Sequence, residues 1–332
     1  MEIDQTKTYP NDPESRKRQV MKTAPNQFDA KGVIPACLMP FDSDLEIDEP
    51  AYRRHLSDLA GVDGVTAITV NGHAAEVHAF SFEEQRRGIE IARDELGEHV
   101  PLVAGIHTGN TRKASRLAKM AMKAGADALL VFPSDVLTMG GQQRPECAHA
   151  HVAAVAESTD LPLILFQYPI SGGLGYPLDT LLELCIKFPT IRAIKDWCND
   201  AHLHERHIRE LHALDQPVGV LSTHSMWLLG SLVLGCDGLL SGAGSVIAPF
   251  QVALFQAVQN NDLQEARRIN DQIYPTVRAF YADPLLDMHN RMKEALVLLG
   301  RLPQAHVRPP LRKLPNDEIE RIRTHLLQAG LL

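Results

Sequence analysis

The sequence predicts an α/β fold, a (β/α)8 TIM barrel with a C-terminal helical extension, and three observations carry that expectation. Eight short apolar runs recur between Val33 and Ser241, each followed by a longer helical stretch. The runs are apolar throughout rather than alternating, as parallel strands covered on both faces are. No Gly-x-Gly-x-x-Gly follows the first run, which ranks a doubly wound, dinucleotide-binding open sheet lower. Eight such units in roughly 230 residues normally close into a barrel.

Taken in order, residues 1–28 are polar and charged, with Ser15-Arg16-Lys17-Arg18 setting their character, and are expected to be a flexible extension. They contain no apolar segment of the kind a secretory signal needs. The barrel is expected over residues 29–260. Its first run is Val33–Met39, followed by a helix over about 49–60. The second run, Gly64–Val70, precedes a helix opened by Ser81-Phe82-Glu83-Glu84, the capping-box pattern. Pro101–Gly105 leads to a helix near Thr111, and Ala128–Phe132 and Pro162–Phe166 continue the rhythm. Ile191–Lys195 is the sixth run, Val218–Leu221 the seventh and Gly238–Ser241 the eighth. Beyond Pro249 the strands stop, and residues 261–332 read as an appendix of three amphipathic helices near 262–282, 287–300 and 316–329.

Composition narrows the function. The 332 residues are 45% hydrophobic and carry a formal net charge of -8. A nucleic acid is therefore not the expected partner, since a phosphate backbone calls for a basic face. No apolar run is long enough to span a bilayer, so no membrane partner is expected. The five cysteines are widely spaced, odd in number and without a C-x-x-C pair. Free thiols in a reducing, cytoplasmic setting fit that pattern.

A barrel carries its chemistry at the C-terminal ends of its strands. Lys195 ends the sixth run, where little water surrounds its amine. Desolvation disfavours the ammonium, and a free amine can attack a ketone to form an imine that serves as an electron sink. Around the same mouth come Gly72-His73-Ala74-Ala75-Glu76, His107, Ser134-Asp135, Tyr168, His224 and the Ser241–Ser245 loop. Gly72, Ala74 and their neighbours can present backbone N–H groups to a carboxylate, or Gly72 simply serves the turn. Ser241 and Gly242 open a short glycine loop, Ser241–Ser245, that resembles the phosphate cradle common after the last barrel strands, a weak signal by itself. His73, His107 and Asp135 are conceivable metal ligands, although their spacing matches no standard motif and no metal is expected. Asp196 and Asp200 are expected to pair or cap locally, and Trp197 to pack beneath a helix.

Gly32-Val33-Ile34-Pro35-Ala36, Pro40-Phe41-Asp42, Asp63-Gly64-Val65, Gly72 with Glu76, Gly125-Ala126-Asp127-Ala128, Tyr168-Pro169 and Ile194-Lys195-Asp196 occur in this order. Arg291–Gly300 and Val307-Arg308-Pro309-Pro310-Leu311 follow. In combination they resemble the dihydrodipicolinate synthase / N-acetylneuraminate lyase family over about residues 30–328. The resemblance implies a Schiff-base lysine at Lys195, a pyruvate-type 2-oxo acid substrate, no cofactor and a homotetramer.

The departures from that family are specific. Its Gly-Thr-Thr-Gly-Glu loop here reads Gly72-His73-Ala74-Ala75-Glu76, without either threonine. Its catalytic tyrosine falls on Phe166, and its carboxylate-binding arginine on Ser171. Its tyrosine pair after the fourth strand is replaced by Ser134-Asp135. These losses argue against dihydrodipicolinate synthase activity itself. His73 and Tyr168 are the candidates to take over proton transfer: an imidazole titrates near neutrality, and Tyr168, two residues beyond Phe166, shares its face if the strand stays regular. The expected function is a class I lyase, an aldolase or dehydratase, acting on pyruvate or a 2-oxo-3-deoxy sugar acid. The alternatives are a non-catalytic oxo-acid sensor of the same fold and a metal-dependent aldolase.

Overall fold

The computed structural model describes residues 28–332; the N-terminal extension expected over 1–28 lies almost wholly outside the described residues. Eight parallel strands form one sheet: β1 (Gly32–Pro35), β2 (Ile68–Val70), β3 (Leu102–Ile106), β4 (Ala128–Val131), β5 (Leu163–Gln167), β6 (Ile191–Asp196), β7 (Gly219–Ser222) and β8 (Gly238–Ser241). The strand order is β1-β8-β7-β6-β5-β4-β3-β2, and the bridges Val33–Val65 and Ala36–Thr69 join its two ends. That is the closed barrel expected from the eight apolar runs, and the strand residues are buried except Arg192 and Gly219.

The crossover helices are α1 (Glu49–Ala60), α2 (Phe82–Leu96), α3 (Thr111–Lys123), α4 (Pro145–Ala156), α5 (Leu178–Lys187), α6 (Ala201–His212), α7 (Leu228–Val233) and α8 (Gly244–Gln259). Several start where a short polar side chain satisfies backbone N–H groups that the helix leaves unpaired. Asp48 accepts from Ala51, Asn110 from Lys113 and Asp200 from Leu203. The Ser81/Glu84 capping box forms with both of its hydrogen bonds.

Three further helices follow, α9 (Leu263–Phe280), α10 (Met288–Leu298) and α11 (Asn316–Gln328). They are not a detached appendix. Arg291, Met292 and Lys293 of α10 are fully buried, and α10 returns to the barrel mouth. Lys293 forms an ion pair with Glu76 and donates to the His306 carbonyl at 2.8 Å, while the Arg308 N–H donates to the other Glu76 oxygen at 2.9 Å. The loop after β2 is thereby fixed to the C-terminal segment. All five cysteines are free. Among the described residues no helix is long and apolar enough to cross a membrane.

Candidate active site

The register of two neighbouring strands sets the centre of the site. Phe166 of β5 pairs with Lys195 of β6, and Gln167 pairs with Asp196. Side chains alternate along a strand, so Phe166 and Lys195 share one face while Gln167 and Asp196 share the other. The Lys195 Nζ lies 4.2 Å from the centre of the Phe166 ring. Lys195 is 5% exposed and, among the described residues, has neither a carboxylate partner nor a side-chain hydrogen bond. Burial without a counter-charge pushes its pKa down to about 7.

The aromatic wall beyond Phe166 contains the two other predicted catalytic residues. Tyr168, just past the end of β5, still packs on Phe166, with tilted rings whose centres are 4.3 Å apart. Its hydroxyl is 3.0 Å from His73 Nε2. His73 packs against Phe132 and Phe166 at 4.9 and 5.7 Å, and His107 lies 5.8 Å away. Burial holds the His73 pKa well below its ordinary value, and the nearness of the titratable His289 and Lys195 lowers it further. His73 is therefore a neutral imidazole at neutral pH, which corrects the expectation that it titrates there. Burial likewise keeps the Tyr168 hydroxyl protonated.

The loop after β2 makes a short turn over His73–Ala75. Gly72 opens it with φ -88°, and an added Cβ would meet only Thr69 Cγ2 at 3.8 Å. The turn therefore does not demand glycine at this position. Positive φ falls instead on Asn71 and Glu76. Among the described residues the N–H groups of His73 and Ala74 have no backbone acceptor, so both can face an anion.

On the opposite side, Ser241 Oγ lies 2.9 Å from Ser225 Oγ, which accepts from the Tyr281 hydroxyl at 2.8 Å. Ser245 Oγ donates to the Ala36 carbonyl and accepts from the Leu38 N–H. These hydroxyls brace the loop after β8 rather than standing open. Gly242 makes room for a residue the sequence did not single out: a Cβ there would lie 3.1 Å from His289 Nε2. His289, on α10, is held down to about 3 by burial and by Lys195 and Lys293. Its only sequence signal was proximity to the Arg291–Gly300 motif.

The proposed His73, His107 and Asp135 metal ligands do not assemble. Their donor atoms are not among those that lie within 4.8 Å of one another in the described residues. Trp197 stands edge-on to Tyr168 at 5.7 Å. Asp196 points away from the mouth, where its Oδ2 accepts from His204 and His207 of α6 at 2.8 and 2.7 Å. Burial works to raise its pKa, but those two hydrogen bonds win and hold the carboxyl far below the usual range. Asp200 caps α6.

The model of the Dihydrodipicolinate synthetase family matches residues 29–329. The chain is 30% identical to the 4-hydroxy-tetrahydrodipicolinate synthase of Methanopyrus kandleri over 310 residues, covering 92% of this chain and 98% of that protein. It is 31% identical to the enzyme of the same name from Salinibacter ruber over 304 residues, covering 90% and 94%. Its fold matches the prophage protein YagE of E. coli K12, a dihydrodipicolinic acid synthase family member solved in complex with pyruvate, with a TM-score of 0.85 and 25% identity over 91% of this chain and 99% of that one. The match runs through the barrel and the C-terminal helices alike, and this chain belongs to the dihydrodipicolinate synthetase family.

Proposed function

We propose that the protein is a Schiff-base lyase that binds a 2-oxo acid as an imine on Lys195. The observation that carries this reading is a buried lysine, without a counter-ion among the described residues, whose pKa is pushed down to about 7 at the C-terminal end of a barrel strand. About half of such an amine is free base, and so nucleophilic, at pH 7. The His73 and Ala74 N–H groups would take the carboxylate, with Gly72 shaping the approach and Phe166 forming the floor beside the amine. Ser241 and Gly242 shape the far wall. The Tyr168 hydroxyl would move the proton, with the neutral His73 Nε2 accepting its hydrogen bond.

Pyruvate is the first substrate to consider, since YagE was solved with it. Ser171 is exposed in the turn after Pro169, so no arginine there would hold a second carboxylate. That favours an uncharged, hydroxylated second half, as in a 2-oxo-3-deoxy sugar acid undergoing aldol cleavage or dehydration, over the dicarboxylate product of a true synthase. We carry the same reading to a cytoplasmic homotetramer that needs no cofactor.

The test is borohydride trapping. The protein is incubated with pyruvate or with 2-oxo-3-deoxy sugar acids, reduced, weighed intact and mapped. The expected result is one adduct on Lys195, absent in Lys195→Ala. An adduct elsewhere, or none with any of these acids, overturns the imine mechanism.

A further inference from the structure

Behind the catalytic lysine, on the face of β6 that looks away from the mouth, lies a second buried constellation. Asp196, Cys198, His204 and His224 each offer one donor atom, and the four atoms lie within 4.8 Å of one another. All four residues are buried, Asp196 and His204 completely. We propose that they form a binding site for one divalent cation of the zinc class.

The donor set suits that ion. One carboxylate, one thiolate and two neutral imidazoles carry two negative charges, which a divalent cation neutralises in an interior that tolerates no net charge. Mixed N, S and O donors in fours are the preference of zinc. The spacing also fits. His224 Nε2 lies 3.6 Å from Cys198 Sγ, close to the roughly 3.5 Å separation that tetrahedral Zn–S and Zn–N bonds imply. His204 Nδ1 lies 2.8 Å from Asp196 Oδ2 and would open by about 0.5 Å around an ion. The Asn199 N–H, which donates to His224 Nε2 at 3.2 Å, would give up that bond.

The surroundings are those of a ligand shell. A metal-bound histidine usually engages its second ring nitrogen in a hydrogen bond that fixes the tautomer. Here the second nitrogen of His204 meets Ser231 Oγ at 2.6 Å, and that of His224 meets Ser222 Oγ at 3.3 Å. Asp196 is steadied by His207 Nδ1 at 2.7 Å and by the Cys198 N–H at 2.8 Å. The Trp227 ring stacks on His224 with centres 4.3 Å apart.

Metal binding would release the Cys198 thiol proton, and any proton held between His204 and Asp196, to solvent.

The test begins with metal content. The protein is purified without chelator, dialysed against zinc, desalted and analysed for metal per chain; a second sample is loaded with Co(II) and its absorption spectrum recorded. The expected results are about one zinc per chain, a Co(II)–thiolate charge-transfer band in the wild-type protein, and loss of that band in Cys198→Ser. His224→Ala should weaken binding at least about tenfold, and the exposed His202→Ala should not. A folded wild-type protein that retains less than about a tenth of an equivalent, or that binds Co(II) with no thiolate band, overturns the proposal and leaves the four residues as a hydrogen-bonded cluster. Because the Co(II) band is read on the wild-type protein, poor folding of a variant does not blunt the test.

Discussion

At the residue scale, Lys195 shows how far function opposes stability. Its pKa of about 7 lies below its ordinary value of 10.5 because burial disfavours the ammonium. The unfolded chain therefore binds more protons than the folded one between those two values, and the lysine's burden on stability shrinks as pH rises through that window. Lys195→Met removes the burden. It is expected to stabilise the fold by on the order of 3 kcal/mol at pH 8, with the gain vanishing above about pH 10.5; denaturant titrations at both pH values measure this. The same pKa predicts that the rate of imine trapping falls about tenfold per pH unit below 7 and is flat above it. For Tyr168 and His73 the expectation is a split between binding and turnover. Tyr168→Phe and His73→Asn should each keep the trapped adduct yet lower kcat by about a hundredfold on the true substrate. The double variant should lose little more than either alone, because the two act as one hydrogen-bonded unit. Additive losses would mean that they work separately.

At the element scale, β6 divides its labour by alternation. Lys195 faces the mouth, and Asp196 faces α6, whose His204 and His207 are three residues apart and so share one helix face. A strand end anchored on its outer side presents its inner side chain in a fixed direction. The helices that carry the strands depend on local chemistry that can be tested apart from the site. Ser81 accepts from the Glu84 N–H at 3.1 Å while Glu84 returns a bond to the Ser81 N–H. Ser81→Ala is expected to cost about 1 kcal/mol of stability, seen in thermal or denaturant unfolding, with turnover unchanged.

At the scale of the whole molecule, the C-terminal helices complete the barrel. Glu76 and Lys293 are 217 positions apart and almost wholly excluded from water. Burial pushes the Lys293 amine down to about 8 even with Glu76 beside it. Lys293→Met strands a buried carboxylate and should destabilise the protein by about 3–5 kcal/mol. Glu76→Gln combined with Lys293→Met should recover most of that loss, since no lone charge is then left inside. A double variant as unstable as the single one would show that the ion pair itself, rather than the unpaired charge, matters.

The amino-acid sequence determined the barrel, because eight apolar runs and their helices are local patterns that leave few ways to bury both faces of a parallel sheet. It also singled out Lys195, since a lysine at the end of a buried strand is conspicuous in one dimension. The pairing of Tyr168 with His73 was within its reach only as two separate candidates. Tertiary structure alone decided the rest. His289 enters from α10, past a glycine 47 positions earlier in the chain. The histidines around the lysine are neutral because burial and neighbouring charges make them so, and neither is encoded in spacing. Asp196, Cys198, His204 and His224 converge only because β6, α6 and the loop after β7 are packed side by side. Desolvation and convergence belong to the closed barrel, and a linear pattern cannot carry them.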